Sequence, residues 1–312
     1  MKKVFKANIY FLAIIILEII MPFILAPIYK AVGLSDVRVM LFANHTVIFL
    51  LPAIIYIIIT KSNIKETFRL NRLHFKDILL IIVISLISYP LMGCFSAITS
   101  LFFENNIGNF IGSISSTPYI VLLLLIAVMP AITEEVTLRG IVLSGYNNQS
   151  KFKAALMTGI LFGIFHLDGQ QFLYAAVLGF ILAYIVRVTN SIFSSMLMHF
   201  IINGTSITIS KFLLDSSESM VQAADELNLM NLSFDNKLMI MSSYIIIGIA
   251  LGGLVFKLIK VLEKWNIERN PQLRIEEQAL IANKENIINI PFILIVVVYL
   301  LFMFLSLYVF KI

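Results

Sequence analysis

The chain has 312 residues, of which 60% are hydrophobic and 13% are charged, and its net charge is +5. Soluble domains carry roughly 25% charged residues, so this composition excludes an ordinary soluble globular protein. The only cysteine, Cys94, excludes an internal disulfide and a metal site built from several cysteines. The basic residues lie mostly in short loops, which favours contact with lipid headgroups over contact with nucleic acid.

Apolar runs long enough to cross a bilayer follow one another along the chain. They predict an all-α fold, a polytopic transmembrane helix bundle of about 8–9 spanning helices. The first run is long for a signal peptide and no small-residue cleavage site follows it, so we expect it to be retained as a span. The predicted spans are residues 9–30, 39–60, 78–103, 119–144, 154–168, 171–188, 191–213, 237–260 and 287–310.

The charges of the loops predict the orientation of the bundle. Loops 61–77, 145–153 and 261–286 are basic, whereas loop 104–118 contains no Lys or Arg and loop 214–236 is acidic. By the positive-inside rule, the basic loops and the lysine-rich N-terminus are cytoplasmic. We therefore expect a multi-pass protein of the cell membrane, and the abundance of Ile, Lys and Asn is typical of an AT-rich bacterial genome.

Small residues recur at four-residue spacing in several spans, for example at Gly159 and Gly163 and again at Gly179. Such spacing lets helices approach closely in lipid, and we interpret it as packing only.

Ionisable side chains inside the spans are few, and each needs a reason because charge in lipid is costly. Glu18 is expected to face either a cavity or a neighbouring helix. His45 is expected to be structural, and Arg187 to reach the membrane surface or pair there. The remaining ionisable residues fall into three short patterns whose members lie four residues apart, on one helical face. The patterns pair Glu135 with Arg139, Phe162 with His166, and His199 with Asn203.

The acidic pattern divides into two roles. Arg139 can pair with Glu135, whereas Glu134 points about 100° away around the helix and stays free for chemistry. Pro130, one turn before Glu134, can bend the helix and free a carbonyl. Taken alone, this pattern is explained equally well by a buried salt bridge that fixes helix packing.

Depth in the membrane connects the three patterns. At about 1.5 Å per residue from the predicted cytoplasmic end of each span, Glu134 lies roughly 15 Å deep, His166 roughly 18 Å and His199 roughly 12 Å. An acid and two imidazoles from three helices therefore share one layer. The polar residues 167–171 indicate that the helix before them is short and that a water-filled cavity reaches this layer. We expect this cavity to open toward the cytoplasmic side.

These patterns resemble the motifs of the CAAX-protease and bacteriocin-processing (CPBP, or Abi) family of intramembrane proteases. The matching segments are 134–140 (EEVTLRG), 162–166 (FGIFH) and 199–203 (HFIIN), and a turn led by Arg187 matches a further family feature. The resemblance covers about residues 119–205 and departs at Thr137, where an apolar residue is usual. It divides one membrane domain into N-terminal helices (1–118), a catalytic core (119–213) and C-terminal helices (214–312).

The resemblance implies that Glu134 and His166 activate a water molecule for peptide-bond hydrolysis, while His199 and Asn203 stabilise the oxyanion. It also implies that three further residues orient the site, namely Glu135, Arg139 and Phe162. The expected partners are membrane lipid and a peptide or membrane-protein substrate.

The family is often described as metalloproteases, and Zn²⁺ could be held by Glu134, His166 and His199. The chain has no His-Glu-x-x-His motif, and Glu134 cannot easily serve as both metal ligand and base. A metal-free glutamate mechanism is therefore favoured, with zinc as the alternative.

Other types of membrane protein fit the sequence less well. The chain lacks the Gly-x-Ser-Gly expected of a rhomboid-like site and the Gly-x-Gly-Asp expected of a presenilin-like site. The alternative function is that of a non-catalytic membrane partner, such as a bacteriocin-immunity protein or a regulator of a sensor kinase. A proton-coupled transporter would also place Glu, Arg and His at mid-depth, but no inverted repeat is evident.

Overall fold

The computed structural model describes residues 3–216, 229–272 and 285–307, and all their side chains except those of 212–216. These residues form helices joined by short segments, with no strand in the described part of the chain. The long helices are α1 (Lys3–Ala31), α2 (Val37–Thr60), α3 (Phe75–Thr99), α4 (Tyr119–Gly145), α5 (Lys151–Phe165), α6 (Gly169–Thr189), α7 (Ile192–Ser216), α8 (Phe234–Arg269) and α9 (Ile290–Leu305).

Seven of these described helices, all but α5 and α9, are long and apolar enough to cross a membrane. The predicted all-α polytopic bundle is thereby confirmed. Helix α5 has 15 residues, and at about 1.5 Å per residue it does not reach the roughly 30 Å of a bilayer core by itself. Helix α9 has 16 residues within the described part of the chain. The predicted loops 214–236 and 261–286 and the end of the predicted span 287–310 lie partly outside the described residues.

Helix α4 is irregular around the acidic pattern. Its segments Leu123–Val128 and Val136–Val142 are π-helical, and the α-helical stretch Met129–Glu135 lies between them with Pro130 near its start. A π-helical turn carries an extra residue and redirects the side chains around it, and such turns are frequent at functional sites. The two π-helical segments therefore lie on either side of the stretch that contains Pro130 and both glutamates.

Helices α5 and α6 form the most extensive helix pair of the bundle. Their contact depends on glycine, because a Cβ atom at Gly159 would overlap the backbone of Phe180, and one at Gly163 would overlap the backbone of Phe172. Gly179, on α6, packs against the same face of α5, where a Cβ atom would overlap Gly159 and Phe162. The predicted packing role of these small residues is confirmed.

A tight turn joins α5 to α6 and fixes the end of α5. Leu167 has a positive φ of 49°, and the Asp168 carboxylate caps α6 by accepting from the backbone N–H of Gln171 at 2.8 Å. His166 is the last residue before this reversal. Its side chain is therefore held at the C-terminal end of a short helix.

Candidate active site

A fully buried ion pair forms the centre of the site. Arg139 Nη1 lies 2.9 Å from Glu135 Oε1, and both side chains are 0% exposed, as the four-residue spacing predicts. The Glu135 carboxylate also accepts a hydrogen bond from His199 Nδ1 at 2.8 Å, which ties α4 to α7. Two donors on one carboxylate offset much of the penalty for burying its charge.

Phe162 supports this ion pair and both histidines. The Arg139 guanidinium lies 4.3 Å above the centre of its ring, a favourable placement for a cation on an aromatic face. The rings of His166 and His199 approach it edge to face, with centroid distances of 4.7 and 6.0 Å. Phe162 is 1% exposed, so it fixes the positions of three polar side chains from inside the core.

The backbone fixes which nitrogen of His166 is free. Its Nδ1 lies 2.8 Å from the carbonyl oxygen of Phe162, and a carbonyl can only accept, so Nδ1 carries the hydrogen. In the neutral ring, Nε2 therefore holds a lone pair that can accept a proton. The side chain is half-buried, unlike the fully enclosed ion pair.

Glu134 differs from its neighbour in having no tightly bound partner among the described residues. Its carboxylate Oε2 lies 3.9 Å from His199 Nε2, beyond hydrogen-bond distance, and its side chain is 12% exposed. Glu134 and His166 are thus the partly accessible acceptors of the site, while Glu135 and Arg139 are enclosed.

Asn203 makes a different contact from the one predicted. Its Nδ2 donates to the carbonyl oxygen of Ile126 at 3.1 Å. In an α-helix this carbonyl would accept from residue 130, but Pro130 has no N–H. Asn203 therefore donates to a carbonyl of the irregular segment that precedes Pro130. The described contacts place Glu134 near His199, and both histidines against the ring of Phe162, but they do not join Asn203 to these residues.

Two residues of the first two helices lie beside this site, although their sequence context gave little signal. His45 Nδ1 lies 3.0 Å from Thr133 Oγ1, which itself donates to the carbonyl of Met129, so His45 supports the turn that carries Glu134. Glu18 interacts electrostatically with Glu134. A charged or imidazole side chain within a span was the only available indication for either.

Arg187 lies away from these contacts. It donates to the backbone carbonyls of Tyr146 and Gln149 at 3.3 and 3.2 Å. Its contacts agree with the structural role predicted for it.

The fit of a metal ion can be judged from the side chains themselves. Within the described ranges, no group of three or more His, Cys, Asp or Glu side chains is arranged to hold a metal ion. Glu134, His166 and His199 therefore do not form a ready three-ligand set as they stand.

The arrangement defines a membrane-embedded polar site with a buried ion pair and two accessible proton acceptors. Residues 116–205 match the family described as type II CAAX prenyl endopeptidase, Rce1-like. This match confirms the family resemblance for the segment that contains all seven predicted site residues, and it supports a CAAX-protease-like enzyme. No curated protein and no solved structure matches the chain.

Proposed function

We propose that this protein is an intramembrane endopeptidase that hydrolyses a peptide bond of a membrane-associated protein or peptide. The observation that carries this proposal is the contrast between two adjacent acids. Glu135 is enclosed and neutralised by Arg139, whereas Glu134 is partly accessible and has no hydrogen-bond partner among the described residues. A purely structural ion-pair network would not need the second carboxylate.

In the proposed reaction, a water molecule first donates one hydrogen bond to the Glu134 carboxylate and a second hydrogen bond to His166 Nε2. Glu134 takes its proton as the water oxygen attacks the carbonyl carbon, and the C=O electron pair moves onto oxygen. Collapse of this intermediate breaks the C–N bond, and Glu134 returns the proton to the leaving nitrogen. Atoms and charge balance without a further reactant.

The developing oxyanion needs hydrogen-bond donors. His199 already donates through Nδ1 to Glu135, so its Nε2 can donate only when the ring is an imidazolium. Asn203 Nδ2 uses one hydrogen on Ile126 and has a second hydrogen to offer. We assign both residues to oxyanion stabilisation, with Glu135 and the Arg139 guanidinium holding His199 in place.

Comparative mass spectrometry of membrane peptides tests this function and identifies substrates. Cells with the Glu134→Ala protein should accumulate uncleaved precursors that are processed in cells with the wild-type protein. Identical peptide profiles, with equal amounts of folded protein in the two membranes, would count against peptidase activity.

A further inference from the structure

Helices α1 and α4 run antiparallel, as two contacts between them show. A Cβ atom at Gly145 would overlap the side chain of Ala7, and further along α1 the hydroxyl of Tyr10 lies beside that of Thr137. Glu18 follows Ala7 by eleven residues, and Glu134 precedes Gly145 by eleven residues.

Because α1 and α4 run antiparallel, later residues of α1 lie against earlier residues of α4. Glu18 therefore lies toward the part of α4 that carries Glu134, and the electrostatic interaction between the two carboxylates agrees with this placement.

Glu18 is a partly buried acid for which the described residues supply no partner. Its Oε2 atom is inaccessible and has no hydrogen-bond partner in the part of the chain that the structure describes. The Arg139 guanidinium of the candidate site is already paired with Glu135 at 2.9 Å. No Lys or Arg among the described residues forms an ion pair with Glu18 or Glu134.

We propose that Glu18 and Glu134 together form an anionic subsite for a Lys or Arg side chain of the substrate, close to the bond that is cleaved. The proposal rests on the proposed function. Two nearby carboxylates in a medium of low dielectric constant repel each other, and a cation that pairs with both is attracted to both. A basic side chain within an apolar peptide equally needs an acidic partner in the membrane.

The subsite predicts a preference that can be measured with paired probes. The probes are fluorogenic apolar peptides with one lysine at successive positions, and the same peptides with norleucine in its place, offered to the full-length protein in lipid nanodiscs. For the best-placed lysine, wild-type kcat/KM should exceed that of the norleucine peptide about tenfold or more. Glu18→Gln should bring this ratio close to one, because glutamine removes one of the two charges that the lysine would pair with.

Two further variants separate the subsite from general effects. Glu18→Asp keeps the charge and should retain part of the lysine preference. Glu104→Gln removes an exposed carboxylate in the segment after α3 and should leave the preference intact. A lysine preference of wild-type size in Glu18→Gln would overturn the proposal, as would wild-type cleavage that does not distinguish lysine from norleucine.

Binding measured by fluorescence anisotropy needs no turnover, and it separates this proposal from the proposed function. Weaker binding of the lysine peptide by Glu18→Gln, with no cleavage by the wild-type protein, would contradict peptidase activity and support the subsite. Cleavage by both proteins with equal binding of the lysine peptide would contradict the subsite and support peptidase activity.

Discussion

Glu134 and Glu135 are adjacent residues in very different surroundings. The Glu135 side chain is 0% exposed and bonded to Arg139 and His199. The Glu134 side chain is 12% exposed and lies 3.9 Å from His199 Nε2. Because consecutive residues point about 100° apart around a helix, one acid faces the ion pair while its neighbour faces the accessible part of the site.

This difference predicts that substitutions at the two acids affect the stability of the protein differently. Glu135→Gln or Arg139→Ala should lower the free energy of unfolding by about 3–5 kcal/mol, because the remaining charge loses its buried partner. Glu134→Gln should leave stability nearly unchanged. Thermal unfolding of the purified proteins in one detergent measures this, and unchanged melting of all three variants, with equal loss of activity, would refute the division of roles.

Asn203 is predicted to serve both the helix and the reaction. Asn203→Ala should slow turnover by about 10²–10³, the typical effect of losing one oxyanion donor. It should also destabilise the protein by about 1–3 kcal/mol, because the carbonyl of Ile126 loses a partner.

A double-mutant cycle with Pro130→Ala separates these two roles. Alanine restores the backbone N–H that Ile126 lacks in an α-helix, so the stability loss from Asn203→Ala should shrink in that background while the kinetic loss remains. Equal stability losses in both backgrounds would show that Asn203 does not compensate for Pro130.

At the scale of helices, the sequence predicted the long elements better than the irregular ones. Runs of apolar residues identify spans by their length. That signal was sufficient for all seven described helices that are long and apolar enough to cross a membrane. The π-helical segments of α4 were not predictable, because the apolar pattern does not reveal which backbone carbonyl each N–H selects. The end of α5 was indicated by the polar residues that follow it, although the left-handed residue of the turn, Leu167, is of a type that gives no turn signal.

The candidate site could be predicted only where its residues are close in sequence. The four-residue spacing indicated the pairing of Glu135 with Arg139 and the shared face of Phe162 and His166. Glu18 and His45 stand alone on α1 and α2, so they reach the site only through tertiary packing. The contact of Asn203 with Ile126 likewise depends on how α7 lies against α4.

The close approach of α5 and α6 predicts a sharp response to a single methyl group. Gly159→Ala should destabilise the protein by about 1–3 kcal/mol, because the new Cβ overlaps the backbone of α6 and the helices must separate. Gly252→Ala is the matched control, since a Cβ there meets nothing within 4 Å in the described structure. Equal melting temperatures for the two variants would show that the α5–α6 contact adapts without loss.

For the molecule as a whole, the loop charges predict that the N-terminus is cytoplasmic. In a Cys94→Ala background, Asn109→Cys and Lys65→Cys place exposed thiols in the loops that are predicted to lie outside and inside. A membrane-impermeant maleimide added to intact cells should label position 109 and not position 65. The reverse labelling pattern would invert the proposed orientation and the side on which the site opens.

The central claim is that Glu134 is the general base of a metal-free peptide hydrolysis. The most direct test is the rate of cleavage of one membrane peptide by purified wild-type and Glu134→Gln proteins, each assayed with and without a zinc chelator. The account predicts that wild-type cleavage persists in the chelator and that Glu134→Gln gives no cleavage in either condition while melting like the wild type. Cleavage by Glu134→Gln at the wild-type rate, or wild-type activity lost to the chelator together with one zinc per chain, would contradict it.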